Sequence, residues 1–168
     1  MDRFRNLENK SILLVENDRT IRETLTTAFS RLGCRVKGFD SAEAGLAEFK
    51  NHHFSVVISD FKLAGMDGLT FFREVLDRDG NVVTILISGF ADNETVSEAH
   101  KIHVDAVLEK PFTLESLFAI LKEKIEGRKT SNGLSGYTIG PDTVSTGENL
   151  ARIFFDWLEQ TNGPLPGS

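Results

Sequence analysis

Four short apolar runs in this 168-residue chain each stop at side chains able to do ionic chemistry. Leu13-Leu14-Val15 stops at Glu16-Asn17-Asp18, and Phe54-Ser55-Val56-Val57-Ile58-Ser59 stops at Asp60. Val82 to Ile87 stops at Ser88-Gly89, and Ala106-Val107-Leu108 stops at Glu109-Lys110-Pro111. Any one of these alone reads as an ordinary polar turn after a strand. Brought together they make a different site. Crowded carboxylates repel and need neutralising, which a hard divalent cation with oxygen ligands does; Mg²⁺ holding several waters fits. Aspartate can be the nucleophile that carries a phosphoryl group. A metal and a lysine would then offset charge on the phosphoryl oxygens.

The elements between these ends decide whether they meet. Ser11 to Val15 has the composition of a strand buried on both faces. Thr20 to Leu32 carries Ile21, Leu25, Ala28, Phe29 and Leu32 at helical spacing, with Gly33 as the stop. Arg35 to Phe39 is a second strand. Asp40 with Glu43 resembles a capping box that opens a helix through Phe49. The third strand ends at Asp60, Gly65-Met66-Asp67-Gly68 is a turn, and Leu69, Phe72, Val75 and Leu76 line an amphipathic helix. A fourth strand, a polar helix through Val96 and Ala99, a fifth strand and a last helix opened by Thr113 complete the alternation. Five strand–helix units with short connections predict an α/β fold: a doubly wound, flavodoxin-like parallel sheet of order 2-1-3-4-5. In such a sheet ligands bind beyond the carboxyl ends of the strands, where strand order reverses. Glu16, Asn17 and Asp60 flank that crevice, and Ser88 and Lys110 reach it from the next two strands.

The residues at these ends carry a resemblance. Ile12 to Asp18 with Arg22, Asp60 through Met66-Asp67-Gly68, Leu86-Ile87-Ser88-Gly89, and Asp105 through Phe112 resemble the motifs of the receiver domain of two-component response regulators. The resemblance covers roughly residues 9–127, within a receiver domain expected over residues 9–128. It implies that Asp60 accepts a phosphoryl group from a histidine kinase or phosphotransfer protein, with Mg²⁺ as cofactor. It implies metal ligation by Glu16, Asn17, Asp60 and the backbone carbonyl of Lys62, phosphoryl contacts from Ser88 and Lys110, and a cis bond before Pro111. It implies a phosphoacceptor signalling protein rather than an enzyme acting on other substrates.

The chain departs from the family pattern at instructive places. Asn17 stands where the second acid is usually aspartate; an amide oxygen still ligates a hard cation but brings no charge, so weaker Mg²⁺ binding is expected. Asp18 either substitutes for it or, as acids favour helix N-termini, simply opens the next helix. Lys62 and Phe90 occupy places that tune phosphoryl lifetime: Lys62 reaches the site or is a solvated loop residue, and Phe90 shields the acyl phosphate or caps the pocket. Val107 replaces an aromatic residue that swings on phosphorylation, and valine has one stiff torsion. Ala64 replaces a common proline in the loop after Asp60. A pseudo-receiver, an interaction module with a degraded metal site, is the alternative reading. A flavin binder is disfavoured because no phosphate loop follows the first strand.

Composition bounds the rest. A net charge of -6 argues against broad nucleic-acid binding, so output by protein–protein contact is expected. No run of about 18 apolar residues is present and no signal peptide opens the chain, which predicts a cytoplasmic protein with no membrane contact. The single cysteine, Cys34, fits core packing. His52, His53, His100 and His103 lack metal-ligand spacing and read as solvated. Residues 129–147 are rich in Gly, Ser, Thr and Pro and read as a linker. Residues 148–160 place Leu150, Ile153, Phe154, Trp157 and Leu158 on one helical face, and 161–168 read as a disordered tail. About 40 residues are too few for a usual output domain. The last helix therefore docks on its own domain, pairs with a second copy as a homodimer, or binds another, downstream protein. A fragment of a larger regulator or hybrid kinase is a further alternative.

Overall fold

The computed structural model describes residues 2–129 and, further on, the strand at 137–139. The strands are β1 (Ser11–Val15), β2 (Arg35–Phe39), β3 (Val56–Asp60), β4 (Val83–Ser88), β5 (Ala106–Glu109) and β6 (Tyr137–Ile139). The helices are α1 (Arg19–Arg31), α2 (Ala42–Asn51), α3 (Gly68–Arg78), α4 (Asn93–Lys101) and α5 (Leu114–Lys129). The sheet is parallel throughout, in the order β2-β1-β3-β4-β5-β6. The expected 2-1-3-4-5 order is therefore present, extended by one strand at the β5 edge.

Alternation along each strand feeds two cores, because successive side chains point to opposite faces. Ile12, Leu14 and Ile58 pack with Phe29 of α1 and Leu117 and Phe118 of α5. Leu13, Val15 and Val57 pack with Leu46 of α2 and Phe71 and Phe72 of α3. Strands β3 and β4 are buried at every position, which is why they read as continuous apolar runs. At the far edge, β2 carries an exposed Arg35 and Lys37, and Lys37 pairs with Glu48 of α2. Charge there protects an open strand edge. Among the described residues, no helix is long and apolar enough to cross a membrane.

Three expectations need correction. The packed core extends ahead of residue 9: a kinked 3-10 segment, Asp2–Leu7, buries Phe4 and Leu7 in the α1/α5 core. The Phe4 ring lies 5.4 Å from that of Phe118, which in turn lies 5.2 Å from Phe29, both edge-on. Second, α2 is capped by Ser41, not Asp40; the extended Ser41 accepts the Ala44 N–H. Glu43 turns away to accept the Met66 N–H at 2.8 Å. Third, the stretch expected as a 129–147 linker contains β6, with Tyr137, Thr138 and Ile139 in register with Ala106, Val107 and Leu108. An aromatic and two β-branched residues favour a strand even between glycines. The helix expected over 148–160 and the tail 161–168 lie outside the described residues.

Two outcomes follow from this packing. Phe4→Ala should lower unfolding free energy by about 3 kcal/mol, measured as a shift in urea midpoint; an unchanged midpoint would mean the 3-10 segment is not part of the cooperative core. Cys34 is buried, its Sγ donating to the Leu7 carbonyl at 3.2 Å, and burial pushes the thiol up to about 12 from 9.0. The folded state keeps this proton more tightly than the unfolded one. Its stabilising contribution is complete below about pH 9 and is lost as pH rises toward about 12. Native protein at pH 8 should resist a thiol-labelling reagent that reacts at once in urea.

Candidate functional site

The site lies at the carboxyl ends of β1, β3, β4 and β5. Val15 is in register with Ser59, so the residues that follow them, Glu16 and Asp60, leave adjacent strands side by side. Both carboxylates are buried, Glu16 to 1% exposure and Asp60 to 5%. Lys110 reaches back from the end of β5. Its Nζ lies 3.1 Å from Asp60 Oδ2 and 3.3 Å from Glu16 Oε2, and its backbone N–H donates to the Ser88 carbonyl at 2.8 Å. The Lys110–Pro111 bond is cis.

Burial first, then the Asp60 charge, pushes the Glu16 carboxyl up to about 7; Lys110 and the Asp18 N–H only partly offset this. For Lys110, burial opposes the charged form, yet attraction and hydrogen bonds from Glu16 and Asp60 outweigh it and hold the ammonium above its ordinary value. The three groups form one electrostatic unit with surplus negative charge.

The remaining expected site residues are placed unevenly. Ser88 is buried, and its hydroxyl is held within its own loop: Oγ donates to the Phe90 carbonyl at 2.9 Å and accepts the Phe90 N–H at 3.2 Å. Asn17, Lys62 and Ala64 are exposed. Asp18 caps α1 by accepting the Ile21 N–H at 3.0 Å, the structural role weighed above. Phe90 is 70% exposed, so its ring does not cap the site. Val107 is buried in the core on the α3 side. All four histidines are exposed.

Three residues support the site in ways the sequence reading did not assign. Arg22 Nη1 donates to the Glu16 carbonyl at 2.6 Å and the Asn17 carbonyl at 3.5 Å, which fixes the backbone of the acidic turn. Glu43, through Met66, ties down the loop after Asp60. At Gly68 a Cβ would lie 2.4 Å from the Asp60 carbonyl oxygen and 2.9 Å from Leu86 Cδ1. Only the sequence context of Arg22, within one turn of the acids, hinted at such a role.

The donor set suits a hard cation in kind. Glu16 and Asp60 present two buried carboxylates side by side; Asn17 would add an amide oxygen and Lys62 a backbone carbonyl, and a cation would relieve the repulsion between the two acids. Among the described residues no cluster of three Asp, Glu, His or Cys side chains suited to a metal occurs.

Comparison with known proteins points to one family. Residues 12–122 match the family described as the response regulator receiver domain. The chain is 30% identical over 119 residues to the C4-dicarboxylate transport transcriptional regulatory protein DctD of Rhizobium meliloti, covering 71% of this chain and 26% of that protein. It is 30% identical over 108 residues to the response regulator receiver protein CpdR of Brucella abortus, covering 64% of this chain and 90% of that one. The crystal structure of a CheY-like receiver domain protein from Methanospirillum hungatei superposes with a TM-score of 0.71 at 25% identity, over 74% of this chain and all of that one. The chain thus spans about a quarter of the length of DctD.

Because Gly68 lets the start of α3 approach the end of β3, Gly68→Ala should destabilise the protein by about 2 kcal/mol through overpacking. Thermal unfolding read by circular dichroism checks this; an unchanged midpoint would show that the β3 end yields freely.

Proposed function

The chain belongs to the response regulator receiver domain family, and on that premise we propose that Asp60 accepts a phosphoryl group from the phosphohistidine of a histidine kinase or phosphotransfer protein. The observation that carries this is the buried Asp60 carboxylate with the Lys110 ammonium 3.1 Å away, at the open end of a parallel sheet. An Asp60 oxygen attacks phosphorus, the P–N bond breaks, and its electron pair leaves with the imidazole, which takes up a proton. The product is an acyl phosphate. Lys110 then exchanges a carboxylate partner for a phosphoryl oxygen. The Ser88 hydroxyl leaves the Phe90 carbonyl and donates to a second one. Mg²⁺ at Glu16, Asn17, Asp60 and the Lys62 carbonyl would supply charge neutralisation for the incoming phosphoryl oxygens. Water later hydrolyses the anhydride and returns Asp60 and inorganic phosphate, so the protein acts as a phosphoacceptor and not as an enzyme on other substrates.

Output by protein–protein contact in the cytoplasm, without nucleic acid, is the reading that the net charge of -6 supports. The match to CpdR, which the chain covers over 90% of its length, agrees with a receiver acting by itself. A second reading is favoured by the 26% coverage of DctD: a receiver belonging to a longer transcriptional regulator. A pseudo-receiver is the reading that Asn17 favours.

Acetyl phosphate should add one phosphoryl group by intact mass, dependent on Mg²⁺ and lost in Asp60→Ala. No adduct in the unaltered protein, together with no Mg²⁺ binding, would leave the pseudo-receiver as the correct reading. Asn17→Asp should lower the Mg²⁺ concentration needed for half-maximal phosphorylation about tenfold, as one restored charge near a partly solvated cation is worth at least about 1.4 kcal/mol. An unchanged Mg²⁺ requirement would place Asn17 outside the metal site.

A further inference from the structure

The two faces of the sheet are not equally covered. On one face α5 buries Leu114, Leu117, Phe118, Ile120, Leu121 and Ile125, and the 3-10 segment closes the remaining gap. On the other, α3 buries five residues but α4 buries only Ala99. Between α4 and β5 lies a groove of about 230 Å³ lined by Val96, Ala99, His100, Val104, Ala106 and Val107. Its floor is apolar and one wall, Val96, is half-buried. The small Val107 side chain at the centre of β5 leaves this space open.

The chain itself leads to this groove. β6 lies beside β5, with Thr138 in register with Val107 on the groove floor. The backbone groups along the β5 edge are thereby taken by the same chain, and residue 140 follows directly on Ile139, one register step beyond the groove-lining Val107. The eight residues 140–147 span up to about 26 Å when extended, more than the length of the nine-residue α4, about 14 Å. The segment they lead to, 148–160, carries Leu150, Ile153, Phe154, Trp157 and Leu158 at helical spacing. Such a stripe needs an apolar partner in water, and a helix laid into an apolar groove is a recurrent solution.

We propose that residues 148–160 of this chain dock in cis into the α4–β5 groove, guided there by β6. The contact does not depend on phosphorylation of Asp60.

Trp157 is the sole tryptophan in the chain, so its fluorescence reports the docking directly. In the full chain its emission should be blue-shifted, with acrylamide quenching several-fold weaker than for free tryptophan. Both should stay constant over a hundredfold dilution, and light scattering should give a monomer. Val96→Asp, in the groove wall, should restore water-like emission and quenching while the far-ultraviolet circular dichroism stays unchanged. Ser97→Arg, an exposed position on the groove rim, should do the same without touching the core, and decides the matter where Val96→Asp perturbs the fold. Water-like emission in the unaltered chain overturns the proposal. So does a blue shift that fades on dilution, which would assign the tail to a second copy. A buried Trp157 that neither groove variant exposes would place the tail elsewhere and likewise overturns it.

Discussion

The ammonium of Lys110 is the interaction on which the site depends. Glu16 and Asp60 are withdrawn from water at the ends of adjacent strands, an arrangement that by itself costs several kcal/mol in desolvation and repulsion. One cation in contact with both offsets much of that cost. Lysine suits this place because it is a compact charge on a flexible stem, and it crosses from β5 past β4 to reach both acids. The compensation is incomplete, since burial and Asp60 still hold Glu16 near 7. The site is therefore still short of positive charge, which the proposed Mg²⁺ would supply.

Everything else at the site fixes where those three groups stand. The parallel register sets Glu16 beside Asp60, and Gly68 lets α3 begin directly against the Asp60 carbonyl. Arg22 clamps the first loop through two carbonyls, and Glu43 clamps the second through the Met66 N–H. Neither clamp touches the reacting atoms. Each converts a turn that would otherwise sample many backbone states into one that presents its polar groups in a single place.

The strand order and the converging residues were legible because buried parallel strands are continuous apolar runs, and each run ends abruptly at the residue that matters. The parts that were not legible depend on contacts distant in sequence. Phe4 and Leu7 sit among charged residues with no helical period, and only Phe118 and Phe29 reveal them as core. Asp40 and Ser41 are both good caps, and the choice between them follows from the extended backbone at Ser41 and from the loop that draws Glu43 away. The rotamer of the Ser88 hydroxyl is a local competition with the Phe90 backbone that residue identity does not encode. β6 is three residues of strand former inside a stretch of linker composition, and its partner is a sheet edge that exists only after folding.

Strand β5 joins the acidic site to the outer edge of the sheet. At its carboxyl end Lys110 engages the acids, and along its edge Ala106, Val107 and Leu108 hold β6. An aromatic residue at Val107 could turn about its first side-chain torsion between the sheet edge and the interior; valine, branched at Cβ and buried against the α3 face, has no such alternative. What links Lys110 to the edge is thus the backbone itself, a strand of four residues whose hydrogen bonds run to β4 on one side and β6 on the other. A shift of the backbone at Lys110 would bear on the four-residue β4–β5 pairing, which is buried, and on the three-residue β5–β6 pairing, the shorter of the two.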